Sequence, residues 1–104
     1  MKNSGAEIIA SQNSFIVYRT TVDEAEIISI GVAPNARRTG TATALLVIME
    51  QDVSKNGAKK IFLEVSENNI PAINLYKKSG YKQIGIRPHY YEDGTNAIIM
   101  SKDI

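Results

Sequence analysis

The sequence predicts a mixed α+β fold in which a central, mostly antiparallel sheet contains one β-α-β unit. Short segments rich in β-branched and aromatic residues lie on both sides of one long stretch whose apolar residues have helical spacing. A glycine follows each of two helical stretches, where a C-cap glycine belongs. The strand after the long helix is mostly apolar, which is typical of a strand inside a sheet. The predicted order of elements is therefore β-β-β-α-β-α-β-β.

Three strands are predicted before the long helix. The short apolar run Ala6–Ala10 predicts the first strand, and the polar segment 11–13 predicts a turn after it. Phe15–Val22 and Glu26–Val32 predict the second and third strands, which a tight connection joins as a hairpin.

The long helix is predicted over Thr39–Asn56. Its apolar residues recur at helical spacing, at Ala42, Leu45, Leu46, Met49 and Val53. Gly57 ends the helix, and the apolar segment Lys60–Val65 predicts the fourth strand. Because a helix connects the third and fourth strands, they are expected to pair in parallel as a β-α-β unit.

A shorter helix and two further strands complete the prediction. Asn69 is a good N-cap for this helix, and Gly80 ends it. Tyr81–Ile86 and Asn96–Lys102 predict the last two strands, and Pro88–Gly94 predicts the long turn between them.

Composition excludes several function classes. With 104 residues, 43% hydrophobic and 22% charged, the chain fits one small globular domain. A net charge of +1 gives no strong field, so neither nucleic acid nor a membrane is expected as a partner. The absence of cysteine excludes disulfides and thiol nucleophiles, and a single histidine predicts no metal site. The longest apolar run, Ala44–Met49, is too short to span a bilayer, so a cytoplasmic protein is expected.

The segment between the third strand and the long helix is a candidate phosphate site. Its residues are Arg37, Arg38, Thr39, Gly40, Thr41 and Ala42. Free amides at a helix start bind phosphate, and Gly40 lets the backbone approach closely. The arginines add charge, and three threonines, including Thr43, add hydroxyls. The alternative is a solvated helix start with two surface arginines, since neither a Walker A loop nor a three-glycine dinucleotide pattern is present.

Four motifs in order resemble the GNAT superfamily of N-acetyltransferases. Arg37–Ala42 resembles its Gln/Arg-x-x-Gly-x-Gly/Ala signature, and the segments 62–69 and 75–81 resemble its Leu-Glu-Val…Asn and Leu-Tyr-x-x-x-Gly-Phe/Tyr stretches. The segment 89–100 is similar to the branch that acetylates the N-terminal alanine of a small-subunit ribosomal protein. The resemblance implies a GNAT-like acyl-CoA N-acyltransferase core, acetyl-CoA as co-substrate without a metal, and direct acetyl transfer to a primary amine.

The chain departs from that pattern at its start. Members usually have a strand and two helices before the segment that begins here at Ala6, so residues 1–104 are interpreted as one N-terminally shortened domain. The sheet face that those helices cover is then expected to be exposed, and a homodimer or helper chain to cover it. Two alternatives to protein N-terminal acetylation remain open. One is an acetyl-CoA-binding but catalytically impaired module, and the other is a transferase for small-molecule amines.

The resemblance implies catalytic roles for Glu64 and Tyr76. Glu64 is the candidate base, with a solvent-facing or lysine-paired glutamate as the alternative. Tyr76 is the candidate acid, because a phenol can protonate a leaving thiolate, with a core aromatic residue as the alternative. A backbone N–H near Val32 is the candidate donor to the acetyl oxygen, and Gly31 is expected either to form a bulge or to pack under a bulky neighbour.

The resemblance also implies binding residues. The cofactor site comprises the residues of the helix start together with Ile30, Gly31, Val32, Asn69 and Tyr76. Asn69 caps its helix, contacts the cofactor, or does both. The acceptor site comprises Arg87, His89, Tyr90 and Tyr91, although the two tyrosines could instead anchor the turn by packing.

Overall fold

The computed structural model describes residues 5–37 and 39–104 and confirms the predicted fold class and element order. The strands are β1 (Ala6–Ala10), β2 (Ser14–Thr20), β3 (Glu24–Val32), β4 (Lys60–Ser66), β5 (Lys82–Arg87) and β6 (Ala97–Asp103). The helices are α1 (Thr41–Lys55) and α2 (Ile70–Lys78), and a short 3₁₀ turn, Pro34–Ala36, precedes α1. No helix in these two ranges has the length and apolar character needed to cross a membrane.

The six strands form one sheet in the order β1-β2-β3-β4-β6-β5. Only β3 and β4 pair in parallel, with α1 as the connection, and every other pairing is antiparallel. This arrangement confirms the predicted β-α-β unit. It also places β4, which carries Glu64, in the interior of the sheet.

Both helices pack on the same side of the sheet, which we call the helix face. Alternate residues of β2 and β4, such as Ile16 and Leu63, are buried there. The same core cluster contains Leu46 and Met49 of α1 and Tyr76 of α2. The opposite side is covered by no helix of the described residues, and we call it the open face.

The parallel pairing of β3 and β4 stops partway along both strands. It runs from Glu24–Lys60 to Ile27–Leu63, although β3 continues to Val32 and β4 to Ser66. The β2–β3 register shifts at the same level, because Val17 is opposite Ser29 while Tyr18 is opposite Ile27, which leaves Ile28 as an extra residue in β3. Such a bulge bends the strand that carries it. Beyond this level β3 and β4 no longer pair with each other, so a gap separates residues 28–32 of β3 from residues 64–66 of β4. We call this gap the wedge.

The expectation of a bulge at Gly31 is wrong. Gly31 is regularly paired with Phe15, and the bulge lies at Ile28. A Cβ atom on Gly31 would lie 2.4 Å from Cε1 of Phe15, so the aromatic ring occupies the space that a side chain would need. The alternative, that Gly31 packs under a bulky neighbour, is confirmed.

Several predicted boundaries shift by one or two residues, and two of these shifts have identifiable reasons. The helix begins at Thr41 rather than Thr39, because Gly40 has a left-handed backbone with φ of 82°. Strand β2 ends at Thr20 rather than Val22, because the amide of Thr21 bonds the carbonyl of Glu24 and closes a turn. Val22 lies at that turn and is 92% exposed.

Candidate active site

The N-terminus of α1 lacks a side-chain cap. Gly40 is the N-cap residue, and among the described residues no side-chain cap bonds the first helical amides. The first helical hydrogen bond runs from Ala44 N–H to Gly40 C=O at 3.0 Å. The amides of Thr41, Ala42 and Thr43 therefore have no partner within the helix, and they lie at the positive end of its dipole. A diphosphate fits such a site.

Backbone conformation, and not crowding, requires glycine at position 40. A Cβ atom there would meet no atom within 4 Å, whereas a φ of 82° is unfavourable for any other residue type. The space beside the helix start is therefore open. The Thr39 and Thr41 hydroxyls hydrogen-bond to each other at 2.6 Å.

The first of the two predicted arginines bonds the end of β3. Arg37 donates from Nε to the carbonyl of Val32 at 3.1 Å, so its exposed side chain links β3 to the helix start. Arg38 lies outside the described residues. Ile30, Gly31 and Val32 lie on β3 beyond its last parallel pair and therefore border the wedge.

Glu64 projects from β4 onto the open face, one residue beyond the last parallel pair. Its carboxylate oxygen Oε2 accepts a hydrogen bond of 2.6 Å from Nε of Arg87, and its side chain is 23% exposed. The other oxygen, Oε1, has no hydrogen-bond partner among the described residues. Glu64 and Arg87 line a groove of about 350 Å³ together with Glu24 and Glu26. Glu64 is thus paired with an arginine and not with the lysine of the alternative, and its catalytic role stays a prediction.

Tyr76 lies on the helix face, where the residue is 5% exposed. Burial raises the pKa of Tyr76 to about 12, and its hydroxyl makes no hydrogen bond to the described residues. The neighbouring Tyr81, whose ring centre is 5.7 Å away, instead donates its hydroxyl to Glu50 at 2.9 Å. Tyr76 is therefore protonated at neutral pH, and its hydroxyl donates to no group of the described residues.

The turn between β5 and β6 brings aromatic rings to Glu64. The Arg87 guanidinium lies 5.3 Å from the centre of the Tyr90 ring, and Tyr90 and Tyr91 pack edge to face at 5.1 Å. Burial, and then the charge of Glu64, raises the pKa of Tyr91. One chain of contacts thus runs from Glu64 through Arg87 and Tyr90 to Tyr91.

His89 belongs to the turn but is bonded within it. Its backbone has φ of 50°, which is uncommon for a residue other than glycine. Its Nδ1 lies 3.2 Å from the carbonyl of Gly94, and its amide donates to Oδ1 of Asn96 at 2.9 Å. The structure therefore gives His89 a role in shaping the turn.

Asn69 caps α2, because its Oδ1 accepts a hydrogen bond of 3.3 Å from the amide of Ala72. The capping alternative is confirmed, and contact with a cofactor stays a prediction. Sequence reasoning missed a bonded pair nearby, Glu67 and Asn96. They directly follow β4 and directly precede β6, so pairing Ser66 with Ala97 in the predicted sheet would have placed them together. Among the described residues no group of three potential metal ligands occurs.

The raised tyrosine pKa values predict a loss of stability at high pH. Below about pH 10 the Tyr76 hydroxyl is protonated in both the folded and the unfolded chain, so its contribution is constant. Above that pH the unfolded chain releases the proton while the folded chain, with a pKa of about 12, retains it, and the free energy of unfolding falls. Two pKa units correspond to a loss of about 2–3 kcal/mol by pH 12. Urea denaturation at pH 9, 10 and 11 measures this, and a Tyr76→Phe variant that loses stability as steeply as the wild type would contradict it.

The chain is similar to known acetyltransferases in sequence and in fold. The family model for the acetyltransferase (GNAT) family matches residues 3–81. An N-alpha-acetyltransferase of Sulfurisphaera tokodaii is 42% identical over 83 residues, which are 79% of this chain and 50% of that relative. The crystal structure of the ribosomal-protein-S18-alanine N-acetyltransferase of Escherichia coli has a TM-score of 0.81 and 36% identity, over 88% of this chain and 61% of that one.

A Bacillus anthracis protein solved in complex with acetyl coenzyme A has a TM-score of 0.82 and 25% identity, over 88% of this chain and 56% of that one. The chain therefore spans from half to less than two thirds of the length of the three proteins compared. The residues matched by the family model contain the start of α1, the wedge and Glu64.

Proposed function

The chain belongs to the acetyltransferase (GNAT) family, and on that premise we propose that it transfers the acetyl group of acetyl coenzyme A to a primary amine, the N-terminal α-amino group of a protein. The observation that carries this proposal is the uncapped start of α1 beside the wedge. Similarity to an N-alpha-acetyltransferase and to a ribosomal-protein-alanine N-acetyltransferase supports the acceptor class, with a ribosomal protein as the first acceptor to test.

The cofactor's diphosphate is held by the α1 amides at Thr41, Ala42 and Thr43, with Gly40 providing the open approach. Arg37 and Arg38 contribute charge to this end, and the threonine hydroxyls at 39, 41 and 43 contribute donors. The pantetheine arm lies along β3 at Ile30–Val32, where β4 has diverged and no strand of the described residues pairs with that edge. Asn69 and Tyr76 border the same path from α2.

The two catalytic groups lie on opposite faces of the sheet. Glu64 lies on the open face of β4, whereas Tyr76 belongs to the core cluster on the helix face. The amine therefore approaches the wedge from the open face, and the thiol departs on the helix face.

Acetyl coenzyme A supplies an acetyl group activated as a thioester. As the amine nitrogen bonds to the acetyl carbon, Glu64 accepts the proton that the nitrogen loses, either directly on Oε1 or through a water molecule. A backbone N–H near Val32 donates to the acetyl oxygen while it carries negative charge. As the carbon–sulfur bond breaks, Tyr76 donates its hydroxyl proton to the sulfur and regains a proton from solvent.

The acceptor terminus binds over the cluster of Arg87, Tyr90 and Tyr91. The two aromatic rings offer apolar surface beside the free Glu64 oxygen, which suits a short peptide whose α-amino group must reach that oxygen. His89 supports this surface through the backbone of the turn.

A second function is favoured by one carboxylate of the groove that contains Glu64. Two of its three glutamates, Glu26 and Glu64, pair with the lining arginines Arg19 and Arg87. Glu24 has no ion-pair partner among the described residues, so it offers a contact to a small polyamine or aminoglycoside. A third function is a module that binds acetyl-CoA without turnover.

Release of free thiol from acetyl-CoA distinguishes the three functions, with an alanine-terminated peptide, spermidine or an aminoglycoside as acceptor. Release with the peptide alone supports the proposal, release only with the small amines supports the second function, and calorimetric binding without release supports the third.

We further propose that a second copy of the chain covers the part of the open face around Ile8 and Phe15, and leaves the Glu64 groove to the acceptor. Ile8 is 66% exposed and Phe15 is 40% exposed, and both point away from the helix face. Sedimentation velocity at tens of micromolar is expected to show a dimer, and Ile8→Ser to shift it toward the monomer. Val22→Ser, at an equally apolar but distant turn, is the control and should leave the dimer intact. Monomers of the wild type over the whole concentration range would contradict this.

A further inference from the structure

The turn that carries Tyr90 and Tyr91 is fastened to the segment between β4 and α2 by a set of hydrogen bonds, which we call the Glu67–Asn96 clamp. The backbone amide of Asn96 donates to Oε2 of Glu67 at 3.0 Å, and its side-chain Nδ2 donates to Oε1 at 3.4 Å. In the reverse direction the amide of Glu67 donates to the carbonyl of Asn96 at 3.1 Å. Both carboxylate oxygens of Glu67 are thus occupied by one residue of the turn.

The clamp continues into the turn through Oδ1, the remaining polar side-chain atom of Asn96. Its Oδ1 accepts the amide of His89 at 2.9 Å, and His89 is the residue with the unfavourable φ of 50°. A backbone held in this region persists only where neighbouring contacts fix it. Asn96 therefore determines the conformation of the residue that directly precedes Tyr90.

Glu67 lies in the segment that joins Glu64 to the start of α2. Glu67 lies three residues after Glu64 and two residues before Asn69, the cap of the helix that carries Tyr76. One short segment thus connects the candidate base, the candidate acid and the turn at the acceptor opening. Displacement of the turn would move the aromatic rings relative to Glu64 without altering the core.

We infer that Glu67 and Asn96 are positioning residues for the acceptor, a role that rests on the proposed function of this site. They contact neither the reacting atoms nor the cofactor segment at the start of α1. They hold the turn 88–96 in the conformation that presents Tyr90 and Tyr91 beside Glu64. Their loss weakens binding of the acceptor and leaves acetyl-CoA binding and the chemical step intact.

The clamp pairs a carboxylate at position 67 with an amide at position 96, and these two groups can be exchanged between the positions. Asn96→Asp places two carboxylates in contact and removes the Nδ2 bond. Glu67→Gln leaves one side-chain oxygen for the two donors of Asn96, so it loses one of the two bonds. In the double variant Glu67→Gln/Asn96→Asp, the glutamine oxygen can accept the amide of residue 96. Its amide group can then donate to the new carboxylate, whose second oxygen still accepts the His89 amide. All bonds of the original clamp are restored with the two roles exchanged.

Steady-state kinetics with an alanine-terminated peptide tests the inference. Asn96→Asp is expected to raise the acceptor KM about tenfold, with kcat and the acetyl-CoA KM within about twofold of the wild type. The double variant is expected to recover to within about threefold of the wild-type acceptor KM. Amide hydrogen exchange, measured without any substrate, should be faster at His89 in each single variant and near the wild-type rate in the double variant.

Two kinetic results would overturn the inference that Glu67 and Asn96 position the acceptor, and a third result would do the same. One is an unchanged acceptor KM and unchanged His89 exchange in both single variants, and the other is a double variant as impaired as the worse single variant. Equal losses in kcat, acetyl-CoA KM and thermal stability would show a general folding role and would also overturn it. If the wild type acetylates no amine, the proposed function fails, while hydrogen exchange at His89 still decides whether the clamp orders the turn.

Discussion

Replacing Glu64 with glutamine is expected to lower kcat for acetyl transfer by about 10²–10³-fold, the usual contribution of a general base. Glutamine has the same shape, and its side-chain oxygen can still accept the hydrogen bond that Nε of Arg87 gives at 2.6 Å. The substitution therefore removes the ability to take up a proton while the Arg87 contact is kept. Calorimetric affinity for acetyl-CoA is expected to stay unchanged, because the α1 start lies on a different element.

The matched control for this variant is Glu24→Gln. Glu24 lines the same groove and undergoes the same chemical change, but it lies at the start of β3, away from the wedge. Its kcat should stay within about twofold of the wild type, since surface carboxylates contribute little. If both glutamine variants lose the same activity, the groove charge matters and Glu64 is not the base.

Replacing Tyr76 with phenylalanine is expected to lower kcat by about 10²-fold, because the sulfur then leaves without a proton donor. The Tyr76 hydroxyl makes no hydrogen bond to the described residues, so its removal should cost little stability. The ring keeps its packing on the helix face. Stopped-flow detection of the released thiol measures the rate, and the free energy of unfolding at pH 7 is measured on the same sample.

Tyr81→Phe is the control, because Tyr81 is the nearest tyrosine and its hydroxyl is bonded to Glu50. It should lose about 1 kcal/mol of stability through that hydrogen bond and keep its kcat. The two variants are thus expected to show opposite patterns, one in rate and the other in stability. A Tyr76→Phe enzyme with wild-type kcat would exclude Tyr76 as the acid.

Local patterns in the sequence predicted most of the fold. The apolar spacing of Leu45, Leu46, Met49 and Val53 marks α1, and all four side chains are buried in the structure. Gly57 and Gly80 have positive φ and follow the two helices, as their positions predicted. Spacing and glycine punctuation are local properties, so they can be read without knowing which strands are neighbours.

The geometry of the candidate site depended on contacts that no local pattern encodes. The bulge that helps to open the wedge lies at Ile28, a residue type that favours regular strands. Gly31 suggested a bulge of its own, but glycine is needed there because the Phe15 ring of the neighbouring strand fills the space of a side chain. The bond between Arg87 and Glu64 forms because β6 lies between β4 and β5, an order that sequence alone does not give. The Glu67–Asn96 clamp likewise depends on the β4–β6 register.

The central claim is that main-chain amides at the start of α1 hold the cofactor's diphosphate, and amide chemical shifts in a titration with coenzyme A test it most directly. We expect the amide resonances of Thr41, Ala42 and Thr43 to shift downfield with one common saturation curve, as amides do on gaining a strong acceptor. Inorganic pyrophosphate should move the same resonances at higher concentration, while desulfo-coenzyme A should act like coenzyme A. Saturable binding of coenzyme A that leaves these three amides unmoved would contradict the claim.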